Sequence, residues 1–132
     1  MKIDPTKLDP VLRGYIIAAL WTSLNGEKPL DDDYGMDDLA PETLAEMAAD
    51  CAVFQRENGH LWKGKKTSRG GDGGVMDTQA GHDFWLTRNG HGAGFCDRPK
   101  IYGENEAEEL TEACKNNECV LYVGDDNRLY VT

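Results

Sequence analysis

The chain has 132 residues, 39% of them hydrophobic, and its 24 acidic against 14 basic side chains give a formal net charge of −10. That length predicts a single domain over 1–132 around one core, and the mix of apolar and charged residues excludes a disordered chain. No apolar run approaches the ~20 residues that span a bilayer, and the acidic excess opposes direct contact with nucleic acid or a membrane surface.

The opening segment Met1-Lys2-Ile3-Asp4-Pro5-Thr6-Lys7 has neither a continuous apolar stretch nor a small-residue cleavage site, which predicts a cytoplasmic protein. Asp9-Pro10 then reads as an N-cap with proline at the first helical position. Leu12, Tyr15, Ile16, Ala19, Leu20 and Ser23 recur at three-to-four spacing, so a first helix is expected over 11–24, ended by Asn25-Gly26. Ile17, Trp21 and Leu24 widen its apolar arc.

Residues 27–40 form a loop dense in carboxylates. Asp31, Asp32, Asp33, Asp37 and Asp38 continue into Glu42, Glu46 and Asp50 as one acidic surface. The spacing of Asp31, Asp33, Gly35 and Asp37 superficially suits a calcium loop. An EF-hand needs glycine at its sixth position, however, and Met36 stands there. Pro41 opens a second helix whose stripe is Leu44, Met47, Ala48, Cys51, Phe54 and Gln55, closed by Asn58-Gly59.

A flexible Gly-rich basic loop is expected at about 59–80, where Lys63, Lys65, Lys66 and Arg69 precede Gly70-Gly71-Asp72-Gly73-Gly74. Gly59, Gly64 and Lys65 fall at Walker A spacing. Lys66 takes the place of the required Ser or Thr, so a phosphate loop is not supported.

Asn89-Gly90, between two strand-like runs, predicts a β-hairpin over 82–97. A two-residue turn there sets Arg88 against His91, Leu86 against Ala93, Phe84 against Phe95 and His82 against Asp97. Trp85 then lies over Gly94, free to pack sideways or to meet a partner. His82 and Arg88 would stand roughly 20 Å apart along one strand, so His82 and His91 could not ligate one metal.

Residues 104–115 read as a third helix, with Glu104, Glu106, Glu108, Glu109 and Glu112 forming a second acidic surface. Residues 119–123 and 128–131 form a second hairpin around Gly124-Asp125-Asp126-Asn127. The expected fold is therefore α+β, a small antiparallel sheet of two β-hairpins packed against about three helices. Its core should draw on Leu12, Ile16, Leu20, Leu44, Met47, Phe84, Leu86, Phe95, Leu121 and Val123.

Cys51, Cys96, Cys114 and Cys119 contain no close pair, which predicts reduced thiols rather than bridges or a zinc site. No Gly-x-Ser-x-Gly elbow supplies a nucleophile, so neither a catalytic residue nor a metal or other cofactor is assigned.

The stretch from Ala80 to Phe95, AGHDFWLTRNGHGAGF, together with Leu121-Tyr122-Val123-Gly124-Asp125-Asp126 and the helical APETLA at 40–45, resembles a group of small proteins encoded by bacteriophages and prophages. The resemblance covers about half the chain and carries over no residue role. Cys96 departs from it, since the group has tryptophan there.

Three functions are expected. The first is a non-enzymatic acidic accessory protein, in the host cytoplasm, that binds and inhibits a host factor. That factor would be a nucleic-acid-handling or defence protein with a basic surface, inhibited in the anti-restriction or anti-CRISPR manner, with carboxylates standing in for DNA phosphates. Its interaction residues are Asp31, Asp32, Asp33, Asp37 and Asp38, then Glu104, Glu106, Glu108, Glu109 and Glu112, with Trp85, Arg88 and His91 on the motif hairpin. The second is a structural or assembly protein of a phage, and self-association as a homodimer fits either. The third is a small enzyme with His82, Asp83 or His91 as acid or base and Arg88 holding an anion.

Overall fold

A computed structural model describes residues 2–70, 74–91 and 94–132. The first helix, α1, spans Pro10–Thr22, and the Asp9 carboxylate accepts a hydrogen bond from the Leu12 N–H at 3.3 Å, the cap that the sequence predicts. It stops earlier than the periodicity suggests. The chain turns at once into a short ladder, β1 (Leu24–Asn25) against β2 (Lys28–Pro29), with Gly26 at φ +70° in the two-residue connection.

Two 3-10 turns, Leu30–Asp32 and Met36–Asp38, carry the acidic loop. Leu30 and Leu39, both fully buried, pin its ends to the core. Helix α2 comes next over Pro41–Asn58 and buries Thr43, Met47, Cys51 and Phe54. Its start is docked on the C-terminal hairpin, β3 (Leu121–Val123) against β4 (Leu129–Val131), where the Ala40 N–H and the Thr43 hydroxyl both donate to the Leu129 carbonyl at 3.1 and 2.8 Å.

The expected 82–97 hairpin is overturned. Residues Val75–Arg88 form a helix, α3, and Phe95–Asp97 a 3-10 turn. Asn89-Gly90 is a helix stop rather than a strand reversal: Gly90 takes φ +67°, its N–H donates to the Thr87 carbonyl at 3.3 Å, and the His91 N–H reaches the Leu86 carbonyl at 3.0 Å. That pair of bonds is the Schellman arrangement, which needs glycine in the left-handed region for the same steric reason a hairpin turn does. The expected pair of Leu86 with Ala93 lies outside the described residues.

The loop expected at about 59–80 is also shorter than predicted. Gly59–Leu61 is a 3-10 turn, Trp62 is fully buried with its indole N–H on Asp77 at 2.8 Å, and residues from Val75 onward belong to α3. Residues 71–73 lie outside the described ones.

α1 and α3 run side by side in the same direction. Arg13 Nη2 donates to Thr78 Oγ1 at 3.0 Å near their starts, and Trp85 Nε1 to Thr22 Oγ1 at 2.7 Å near their ends. Glycine sets their separation: a Cβ on Gly14 would sit 1.9 Å from the Thr78 carbonyl oxygen, and one on Gly81 1.8 Å from that of Val11. The chain then crosses back through Phe95 into a short helix α4 (Pro99–Tyr102) and into α5 (Glu104–Ala113).

The described residues therefore form five helices and two separate two-stranded ladders, α+β in composition, with more helices than expected and no shared sheet. Of the predicted core, Leu12, Ile16, Leu20, Met47, Phe84, Leu86, Phe95 and Leu121 are buried, while Leu44 and Val123 pack partly buried against it. Phe54 and Phe84 stack with ring centroids 3.9 Å apart, and Tyr15 meets Trp85 edge-on at 5.2 Å, so the aromatic centre joins α1, α2 and α3.

Candidate functional site

Asp31, Asp32, Asp33 and Asp37 are exposed and Asp38 is half-buried. One bond within the loop and two to distant segments hold its shape. Asp38 accepts from the Gly35 N–H at 2.8 Å, Asp37 from the Ile3 N–H, and the Tyr34 hydroxyl donates to Asn127 at 2.6 Å. Among the described residues none of these five carboxylates lies in an ion pair, so the negative potential of this turn is not offset locally. Asp31 and Asp37 also line a groove of about 390 Å³ whose other walls include Ile3, Ile17, Leu20 and Met36. An apolar floor beside unpaired carboxylates suits a partner segment that is cationic and partly apolar.

The second acidic surface is partly neutralised. Glu104, Glu108, Glu109 and Glu112 are exposed along α5, where Ala107 and Leu110 face the core. Glu112 pairs with Lys115 at 2.8 Å and Glu106 with Lys65 at 3.2 Å. A backbone N–H and the Lys65 ammonium together hold the Glu106 carboxyl below the usual carboxylate range.

The motif residues stand elsewhere than expected, because the helix turns them inward. Trp85, expected to pack sideways or to meet a partner, is 1% exposed and hydrogen-bonded to Thr22. Arg88, expected on a turn rim facing His91, is buried: Nη1 donates to Tyr15 Oη at 2.7 Å and to Asp50 at 3.0 Å, and Nε to the Asn117 carbonyl at 2.7 Å. Phe84 lies beneath that guanidinium at 5.4 Å. His91 alone of the three is exposed.

His82 and Asp83 are neighbours on α3, but Asp83 is fully buried in a separate network. Its carboxylate accepts from Tyr102 Oη at 2.6 Å, from Arg98 Nε at 2.9 Å and from Gln79 Nε2 at 3.0 Å. Burial, then the Asp83 charge, pushes the Tyr102 hydroxyl far up. Asp83 and Arg88 thus sit in different clusters, His82 borders one cleft and His91 another, and the four do not assemble into one site. Among the described residues no group of three His, Cys, Asp or Glu side chains is placed to hold a metal ion, and no helix is long and apolar enough to cross a membrane.

The four cysteines are free thiols. Burial pushes the Cys114 thiol up to about 12 and raises Cys51 further, which suppresses their reactive thiolate forms, whereas Cys96 is exposed. A disulfide exchange reagent at neutral pH is expected to consume Cys96 first and to reach Cys51 and Cys114 only after denaturant is added. Mass mapping of the modified peptides checks this order.

No motif or spacing signals another grouping, in which Arg13, Arg69 and Arg98 line one cleft with His82. Arg13 lies on α1 close to its cap, Arg69 in the turn at 67–70 and Arg98 just before α4, so only the tertiary fold brings them to one cleft. Comparison of the chain with protein-family models, with curated proteins and with solved structures finds no match.

Proposed function

We propose that this chain is a non-enzymatic acidic accessory protein that docks on the basic surface of a host protein and blocks it. The proposed target is a nucleic-acid-handling or defence protein, and the resemblance to phage-encoded proteins fits that setting. The turn at 31–38 is the principal contact and the outer face of α5 the secondary one. The observation that carries this reading is the set of exposed carboxylates, unpaired among the described residues, beside the Ile3, Ile17, Leu20 and Met36 groove. Carboxylates held on a rigid turn can occupy the arginine and lysine positions that bind phosphates, and no assembled catalytic group is needed for that. In this reading the 82–91 motif builds the scaffold, and Trp85 and Arg88 act inside it.

The test is capture of the partner from bacterial host lysate on immobilised protein, then affinity measurement on the purified pair across a salt series. Steered association of this kind should weaken by on the order of tenfold between about 50 and 200 mM salt, chiefly through the association rate. An affinity that stays constant across the series contradicts carboxylate mimicry.

A further inference from the structure

The chain contains three Asn-Gly pairs, at 25–26, 58–59 and 89–90. Asparagine followed by glycine carries a latent reaction, because glycine has no side chain to shield its backbone nitrogen from the amide that precedes it. That nitrogen can attack the asparagine Cγ. The attack needs a side-chain amide free to rotate onto the main chain and a backbone N–H not already engaged as a donor. The fold withholds both freedoms at two of the pairs.

At 89–90 the Asn89 amide is clamped from both sides. Its Nδ2 donates to the Trp85 carbonyl at 3.1 Å, its Oδ1 accepts from the Cys119 N–H at 2.8 Å, and the Gly90 N–H donates to the Thr87 carbonyl at 3.3 Å. At 58–59 Asn58 Nδ2 donates to the Phe54 carbonyl at 3.3 Å, the Gly59 N–H donates to the Gln55 carbonyl, and Gly59 is buried. Both pairs close a helix, so freeing their reactive atoms means unwinding its last turn.

At 25–26 neither restraint is present. Asn25 and Gly26 are exposed, and among the described residues neither the Asn25 side-chain amide nor the Gly26 N–H has a hydrogen-bond partner. Gly26 takes φ +70°, and nothing lies within 4 Å of where a Cβ would stand, so the space around it is open. The ladder that carries the pair has only Leu24 opposite Pro29 and Asn25 opposite Lys28. A two-stranded ladder that short is marginal by itself, and its end frays.

We propose that Asn25-Gly26 is a site of self-modification, at which the chain deamidates without an enzyme. The Gly26 nitrogen forms a bond to Asn25 Cγ, the Cγ–Nδ2 bond breaks, and the Gly26 proton leaves with the amide nitrogen as ammonia. The resulting succinimide takes up one water molecule. Opening at one carbonyl gives aspartate at position 25, and opening at the other gives a β-linked isoaspartate whose side-chain carbon has entered the backbone. Either product adds a negative charge. The β-linked one also lengthens the main chain at the position paired with Lys28, which disrupts the ladder just before the acidic turn. The reaction is independent of the proposed partner.

The experiment incubates the intact protein at mildly alkaline pH in isotopically labelled water, which marks each converted site on ring opening, and follows the three pairs by peptide mass mapping. The 25–26 pair is expected to convert more than about tenfold faster than the other two, because restrained sites react only through local opening. In denaturant the three should convert at rates within about threefold of one another, since each is then an open Asn-Gly pair. Asn25→Gln should abolish the fast conversion, its longer side chain closing a ring more slowly, and leave the two slow sites as they were. A folded 25–26 pair as slow as the other two overturns the proposal. So does a preference for 25–26 that persists undiminished in denaturant, which would place the selectivity in the flanking residues instead of the fold.

Discussion

Gly81→Ala is expected to lower the melting temperature by on the order of 10 °C or to prevent folding. Helix propensity alone argues the opposite, because alanine in a helix interior is favoured over glycine by about 1 kcal/mol. Space decides the sign. An alanine methyl at this position would lie 1.8 Å from the Val11 carbonyl oxygen and 3.0 Å from the Tyr15 nitrogen, and both are backbone atoms of α1 that no rotamer change can move. Relief requires α1 and α3 to separate, and that separation would disturb the contacts among Tyr15, Phe84 and Trp85. Overpacking of a rigid core costs about 1–3 kcal/mol and more where backbone must shift, so the steric effect wins. Gly14→Ala, with its methyl 1.9 Å from the Thr78 carbonyl oxygen, should behave alike. Thermal melts read both. A stabilised Gly81→Ala would mean that the two helices do not approach at these glycines.

Asp83→Ala should cost about 3–5 kcal/mol, the range for removing one partner of a buried, hydrogen-bonded charge pair. The carboxylate is fully buried and gathers Tyr102 Oη, Arg98 Nε and Gln79 Nε2, joining α3 to α4 and to the residue that precedes it. Its loss strips the buried Tyr102 hydroxyl of its acceptor and removes the carboxylate on which Arg98 Nε rests. Asp83→Asn should fall between the parent and the alanine variant, because the amide keeps one acceptor oxygen but carries no charge. Denaturant unfolding checks the order. Equal stability of all three proteins would show that the network contributes nothing to the fold.

Three Asn-Gly pairs show how far the sequence was legible. Asn58-Gly59 ends a helix, as predicted. Asn25-Gly26, read as a helix stop, lies instead at a strand reversal, and Asn89-Gly90, read as a strand reversal, is a helix stop. Gly26 and Gly90 both take positive φ, so the local signal is the same at the two sites, and tertiary contacts decide which structure is built around it. The helix over Val75–Arg88 did have a helical period in Met76, Ala80 and Phe84. Alternating Phe84 and Leu86 beside Trp85 imitated a strand, and the purpose of Gly81 appears only when α1 lies against it.

The helices opened by Pro10 and Pro41, the acidic helix at Glu104–Ala113 and the C-terminal hairpin were legible because caps, proline and turn residues act locally. The acidic turn was legible for the same reason, its charges being contiguous in sequence. The arginine cleft was not, because its residues run from position 13 to position 98.

If the 31–38 turn, and not the 82–91 motif, meets the partner, then neutralising that turn must weaken binding without touching the fold. The decisive comparison is the affinity of a D31N/D32N/D33N variant for the captured partner, beside its melting temperature. The three side chains are exposed, and their carboxylates lie in no ion pair among the described residues, so the melting temperature should be unchanged and binding weakened by about tenfold or more. A stable variant that binds as tightly as the parent would refute the carboxylate turn as the contact surface.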